Sequence, residues 1–101
     1  MSEPTDIQEH DDEAALARKT QELQAHREAE DFRWIVSTPQ GRRVVWQMLA
    51  DAGVFRSVFS ADALVMAYNE GNRVAGLKLL VKLMNVAPKA HEMMMKENAN
   101  A

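Results

Sequence analysis

The chain contains no cysteine, which excludes a disulfide framework, a cysteine nucleophile and a thiolate metal site. Aromatic residues make up 6%, and there are only 4 glycines and 3 prolines. An all-β domain needs more β-branched and aromatic residues and many more turn residues. No stretch approaches the ~20 apolar residues that cross a bilayer; the longest apolar runs are broken by Lys78 and Lys82. The first residues, MSEPTDIQEHDDE, lack the apolar segment of a secretory signal. No membrane anchor is therefore expected, and a soluble intracellular protein, or one built inside a host cell, is. A net charge of −3 excludes a generally basic nucleic-acid binder and leaves room only for a local basic patch. What is present is 101 residues with 47% hydrophobic content, one domain's worth of globular sequence.

Charge divides the chain. Residues 1–31 hold 10 acidic and 3 basic residues, a balance of −7, whereas residues 32–101 hold 5 acidic and 9 basic, a balance of +4. The first part is also poor in large apolar residues, with Ile7, Leu16 and Leu23 nearly alone. The composition therefore predicts an acidic arm over residues 1–30 and a compact helical domain over 31–101. The arm cannot bury enough surface to fold alone, yet its Ala, Glu, Gln, Arg and Lys content favours helix from Glu9 to Glu30. No Glu stands four residues before a Lys there, so the support is propensity rather than ion pairs. Leu16 and Leu23 are one heptad apart, too short a repeat for a coiled coil. Two readings stand: a solvated helical or disordered arm, or one that docks on a partner or a second copy.

The compact part reads as four to five helices. Phe32, Trp34 and Ile35 end the first helix with a dense apolar cluster. Thr38 is an N-cap ahead of Pro39, and Gly53 is a C-terminal stop. Between them Val44, Val45, Met48, Leu49 and Ala52 form one apolar stripe. Residues 54–59, VFRSVF, alternate like a strand but have no partner strand, so a loop pinned by Phe55 and Phe59 is expected. Ser60 is read as the cap of a helix beginning at Ala61. From Ala61 to Val86 the apolar residues nearly encircle the axis. Val74, Leu77, Leu80, Val81 and Met84 cover one side, Leu79, Leu83 and Val86 much of the rest, and Lys78 and Lys82 a narrow wet stripe. That pattern predicts a central, buried helix sheathed by the others. Gly76 is expected to admit a close neighbour and Gly71 to bend or interrupt the helix. Ala87-Pro88 ends it, and a last helix runs to about Asn98 with Met93, Met94 and Met95. A packed part of roughly 70 residues is small enough that docking or oligomerisation would help stabilise it.

Little in the chain points to chemistry. The histidines are His10, His26 and His91, with no H-E-x-x-H spacing and no glycine-rich phosphate loop. No catalytic residue, cofactor site or metal site is expected, and the chain is read as a non-enzyme. Arg42 and Arg43 lie in the first turn of a helix, where positive charge opposes the macrodipole. With Arg56 and Trp34 they are the candidate partner-binding residues, for a protein carboxylate or a phosphate. The plainer reading pairs the arginines with the chain's own acids. Glu70 and Arg73, three residues apart, are expected to form a structural ion pair.

Several segments occur together in a recognisable order. They are Asp31-Phe32-Arg33-Trp34, Ser37-Thr38-Pro39-Gln40-Gly41-Arg42-Arg43, Gly53-Val54-Phe55, Met66-Ala67-Tyr68-Asn69-Glu70-Gly71-Asn72-Arg73, Gly76-Leu77-Lys78-Leu79-Leu80 and Ala87-Pro88. Together they resemble the Bbp-nineteen-like phage domain, over about residues 31–97. The resemblance implies a tailed-phage virion or head-assembly protein that works by docking on other phage structural proteins. The expected places are the portal vertex, the capsid interior or the set of internal virion proteins, after assembly in the host cytoplasm. Homo-oligomerisation is expected only from the small size of the packed part. The resemblance supplies no catalytic residues. The alternative is a small DNA-binding or host-directed regulatory phage protein using the +4 compact part.

Overall fold

The computed structural model describes residues 4–57 and 59–99. It contains α1 (Pro4–Ile35), α2 (Pro39–Asp51), α3 (Ala63–Val86) and α4 (Pro88–Glu97), and no strand among the described residues. Over the described residues the fold is all-α with four helices, as the composition and periodicity imply. Two units divide the chain, Met1–Asp31 and Phe32–Ala101.

The first unit is helical. Every described side chain from Gln8 to Asp31 is exposed except the half-buried Ala29. Leu16 and Leu23 keep 66% and 59% of their surface in solvent. Local contacts are few: the Thr20 hydroxyl donates to the Leu16 carbonyl at 2.9 Å, and His26 Nε2 lies 3.0 Å from Glu30 Oε1.

In the second unit the sequence signals act as read at both ends of α2. Thr38 Oγ1 accepts from the Gly41 amide at 3.1 Å, with Pro39 in the first turn of α2. Gly41 is required there, since a Cβ would sit 1.6 Å from the Ile35 carbonyl oxygen. At the other end Gly53 has φ 83°, the left-handed conformation that favours glycine. Its amide bonds to the Ala50 carbonyl and that of Val54 to the Leu49 carbonyl, the paired bonds of a Schellman ending. The cap of α3 is Asp62 rather than Ser60: Asp62 Oδ1 accepts from the Leu64 and Val65 amides at 2.9 and 3.1 Å. Ser60 instead accepts from the Asp62 amide. A carboxylate is the stronger acceptor for two amides at a helix N-terminus.

Residues 54–57 and 59 form a loop, with no strand. Phe55 pins it by stacking on Trp46, with ring centroids 4.5 Å apart. Phe59 does not, remaining exposed. Gly76 is buried where α3 crosses the end of α2; a Cβ there would meet Ala52 Cβ and Val54 Cγ2 at 2.6 Å. Gly71 has no such neighbour, and α3 runs through it unbroken.

The core comprises Phe32, Val36, Val45, Leu49, Leu83, Ala87 and Met94. One correction matters most. The sequence predicts α3 sheathed on all sides, but only Gly76 and Leu83 of its residues are buried. Val81 is 54% exposed, and Val74, Met84, Val65, Tyr68 and Leu64 also face solvent. The physical reason is a shortage of neighbours. Among the helix pairs in close contact, α3 meets α2 and α4, and two helices cover only part of a helix's circumference. Periodicity reports which residues are apolar, not which of them a neighbouring helix covers. The same holds for α2, where Val45 and Leu49 face inward while Val44 and Met48 remain exposed. Of the methionine triplet, only Met94 enters the core.

Candidate functional site

The corner between α3 and α4 builds a groove. Ala87 and Pro88 break the helix, and the last turn of α1 and the start of α2 face that break. The walls are Val36, Val86, Ala87, Pro88, Ala90 and Met93, enclosing about 440 Å³ of space. Its polar lining comes from Arg33, Ser37, Arg42 and Lys89, with no acidic residue among them.

The two arginines have different duties. Arg33 Nη1 donates to the Val86 carbonyl at 3.4 Å, placing a cation at the negative end of α3. Arg42 is turned inward and only 6% exposed. Its Nε and Nη2 donate to Glu97 Oε1 and Oε2 at 2.8 and 3.3 Å, and Nη1 donates to the Val36 carbonyl at 3.2 Å. This forked pair joins the start of α2 to the end of α4. It also offsets the charge that Arg42 brings to the first turn of α2. Arg42 is therefore not an outward contact residue, contrary to the grouping with Arg43; its partner lies 55 residues away, beyond what spacing can reveal.

The other candidates are scattered. Trp34 is 77% exposed beside the groove's Arg33. Arg43 is exposed on α2. Arg56 belongs to a separate polar recess of about 200 Å³, near Asp51, Asn69 and Asn72. The four residues thus do not form one patch. Glu70 and Arg73 are each half-buried, and no ion pair joins them; the ion pairs among the described residues are His26–Glu30 and Arg42–Glu97. Lys82 is not simply a wet stripe, since its Nζ lies 5.4 Å from the centre of the Phe32 ring.

The groove walls were missed in the sequence reading. The available signal was the Ala87-Pro88 break, because a forced corner between helices leaves a notch beside it. Among the described residues no group of three or more His, Asp or Glu side chains is placed to hold a metal ion. Among the described residues no helix is long and apolar enough to cross a membrane. What the arrangement offers is an apolar notch with the uncompensated cation Lys89 at its edge. Such a notch can take an apolar side chain with a carboxylate nearby.

These features define the class: a small all-α protein with a minimal core, a basic-edged groove and many apolar side chains left outside. The model of the Bbp19-like phage protein family matches residues 32–96, which include all four groove-forming elements. The chain belongs to that family. No curated protein and no solved structure matches it.

Proposed function

We propose that this phage protein is a non-enzymatic docking component of the tailed-phage particle or of its head assembly. The observation that carries the reading is the surplus of exposed apolar surface. Val44, Met48, Val74, Val81, Met84, Met93 and Met95 all keep about half their area or more in solvent. Scattered singly, such residues need no explanation, but a stripe on one helix plus a groove is what an interface offers before its partner arrives. The groove's cations and apolar walls suit an acidic, apolar protein segment. The portal vertex, the capsid interior and the internal virion proteins are the places where such a component acts.

A DNA-binding regulator is less well supported. The +4 balance of residues 32–101 is its main argument. Arg42 is occupied by Glu97, Lys82 lies over Phe32, and Arg43 and Arg56 stand on different features. Quantitative mass spectrometry of purified particles tests the proposal. A fixed copy number per particle is expected. Absence from both mature particles and assembly intermediates, with salt-sensitive retention of duplex DNA, would overturn it.

A further inference from the structure

The groove at the α3–α4 corner joins apolar walls to unanswered positive charge. Val36 and Ala87 are its buried walls, and the exposed Met93 stands at its edge. Three cations line it, and no acidic residue does. Arg42 is answered by Glu97 at 2.8 Å. Arg33 meets only a neutral partner, the Val86 carbonyl. Lys89 is exposed and takes part in neither ion pair of the described residues. α4 begins at Pro88 with no side-chain cap, so the positive end of its dipole opens on the same groove. Complementarity therefore calls for an occupant that is apolar and acidic at once.

The shape of the rim favours a polypeptide over a small molecule. Arg33, Ser37, Pro88 and Lys89 are exposed, and Met93 keeps 46% of its surface in solvent. Small-molecule sites cover about 70–90% of their occupant, and a notch this open does not. A protein segment needs no such enclosure, because it gains contacts on either side of the notch. A second copy of this chain is a poor source of that segment. The outer residues Val74 and Val81 both have Lys78 three or four positions away, and Leu16 and Leu23 of α1 both have Lys19 at the same spacings. Each of these anchors would bring a cation to a cationic groove. An acidic segment of a different protein brings the opposite charge.

We infer that the groove between the end of α3 and the start of α4 holds a segment of another protein in which an apolar side chain stands within about one helical turn of an Asp or Glu. The apolar side chain packs against Val36, Ala87 and Met93, and the carboxylate meets Lys89 at the start of α4. The inference deepens the docking reading and rests on it.

The test selects binders for the purified full-length chain from a display library of short random peptides and measures the synthesised peptides by fluorescence anisotropy. Selected peptides that place an apolar residue near Asp or Glu are expected, with affinity that falls as salt rises. Lys89→Glu and Met93→Asp, both at exposed positions, should each weaken binding by about tenfold or more. Val81→Asp, outside the groove, should leave it unchanged. A selected peptide remade with Lys in place of its acidic residue should recover binding to the Lys89→Glu chain. Circular dichroism checks that each variant keeps its helix content. Selected peptides without acidic residues overturn the inference, as does a library that yields nothing tighter than about 1 mM. So does binding that survives both groove variants, or that Val81→Asp weakens equally. Self-association that both groove variants abolish would show a second copy in the groove and overturn it as well. Particles that hold the chain at fixed copy number and incorporate both groove variants normally sink only this inference. Groove-dependent peptide binding by a chain absent from particles and assembly intermediates sinks only its placement in the particle.

Discussion

Removing the carboxylate of Glu97 isolates a buried cation. In Glu97→Ala the Arg42 guanidinium keeps one acceptor, the Val36 carbonyl at 3.2 Å. Breaking a fully buried pair costs about 3–5 kcal/mol, because the remaining charge is left without compensation. The Glu97 side chain is 39% exposed, against 7% for Arg42, so water reaches the vacated position and lowers the cost. We expect a loss of about 2 kcal/mol. The unit Phe32–Ala101 spans 70 residues, and a domain of that size holds roughly 4–10 kcal/mol in total. The loss is therefore a substantial share, equivalent to a melting-temperature drop of about 8–16 °C. Urea unfolding followed by far-ultraviolet circular dichroism and by tryptophan fluorescence measures it. A double-mutant cycle with Arg42→Met and Glu97→Leu isolates the pair. The double variant should be less damaged than the sum of the singles, since it leaves no buried charge unpaired. If Glu97→Ala costs less than about 0.5 kcal/mol, or the two singles simply add, the inward role of Arg42 is refuted.

The remaining predictions follow from packing and caps. Gly76→Ala should destabilise by about 1–2 kcal/mol despite the better helix propensity of alanine, because its Cβ meets Ala52 and Val54 at 2.6 Å. Gly71→Ala should stabilise by about 0.5–1 kcal/mol, as nothing lies within 4 Å and the gain is purely conformational; equilibrium unfolding of the two variants should show opposite signs. Leu83→Ala empties a fully buried position in the core and should cost about 2–5 kcal/mol in the same assay. Asp62→Ala leaves the Leu64 and Val65 amides without their side-chain acceptor and should cost about 1 kcal/mol, with protection from hydrogen exchange lost first at the start of α3.

Short-range rules written in neighbouring residues decided the helix ends. Thr38-Pro39 opens α2, Gly53 closes it, and Ala87-Pro88 separates α3 from α4. Each is a matter of which backbone conformations a residue permits and which amide it can satisfy, so one sequence suffices to read them. The all-helical class and the unequal charge of the two parts were legible for the same reason. The close approach at Gly76 was legible as well, because a buried glycine in an apolar helix marks the place where a neighbour's side chains need the room.

Only tertiary packing decided which apolar residues are inside. Leu83 and Val81 look alike in the sequence, yet one is fully buried and the other half exposed. The difference is set by where α2 and α4 lie against α3, a choice that periodicity along one helix does not encode. Packing likewise turned Arg42 toward Glu97 and left Glu70 and Arg73 unjoined. It formed the groove from residues as distant as Val36 and Met93. The sequence by itself determined helices, their ends and their charge. The three-dimensional fold determined which faces meet, because contact between distant segments depends on where neighbouring helices lie, and within the unit Phe32–Ala101 α2 and α4 cover only part of α3.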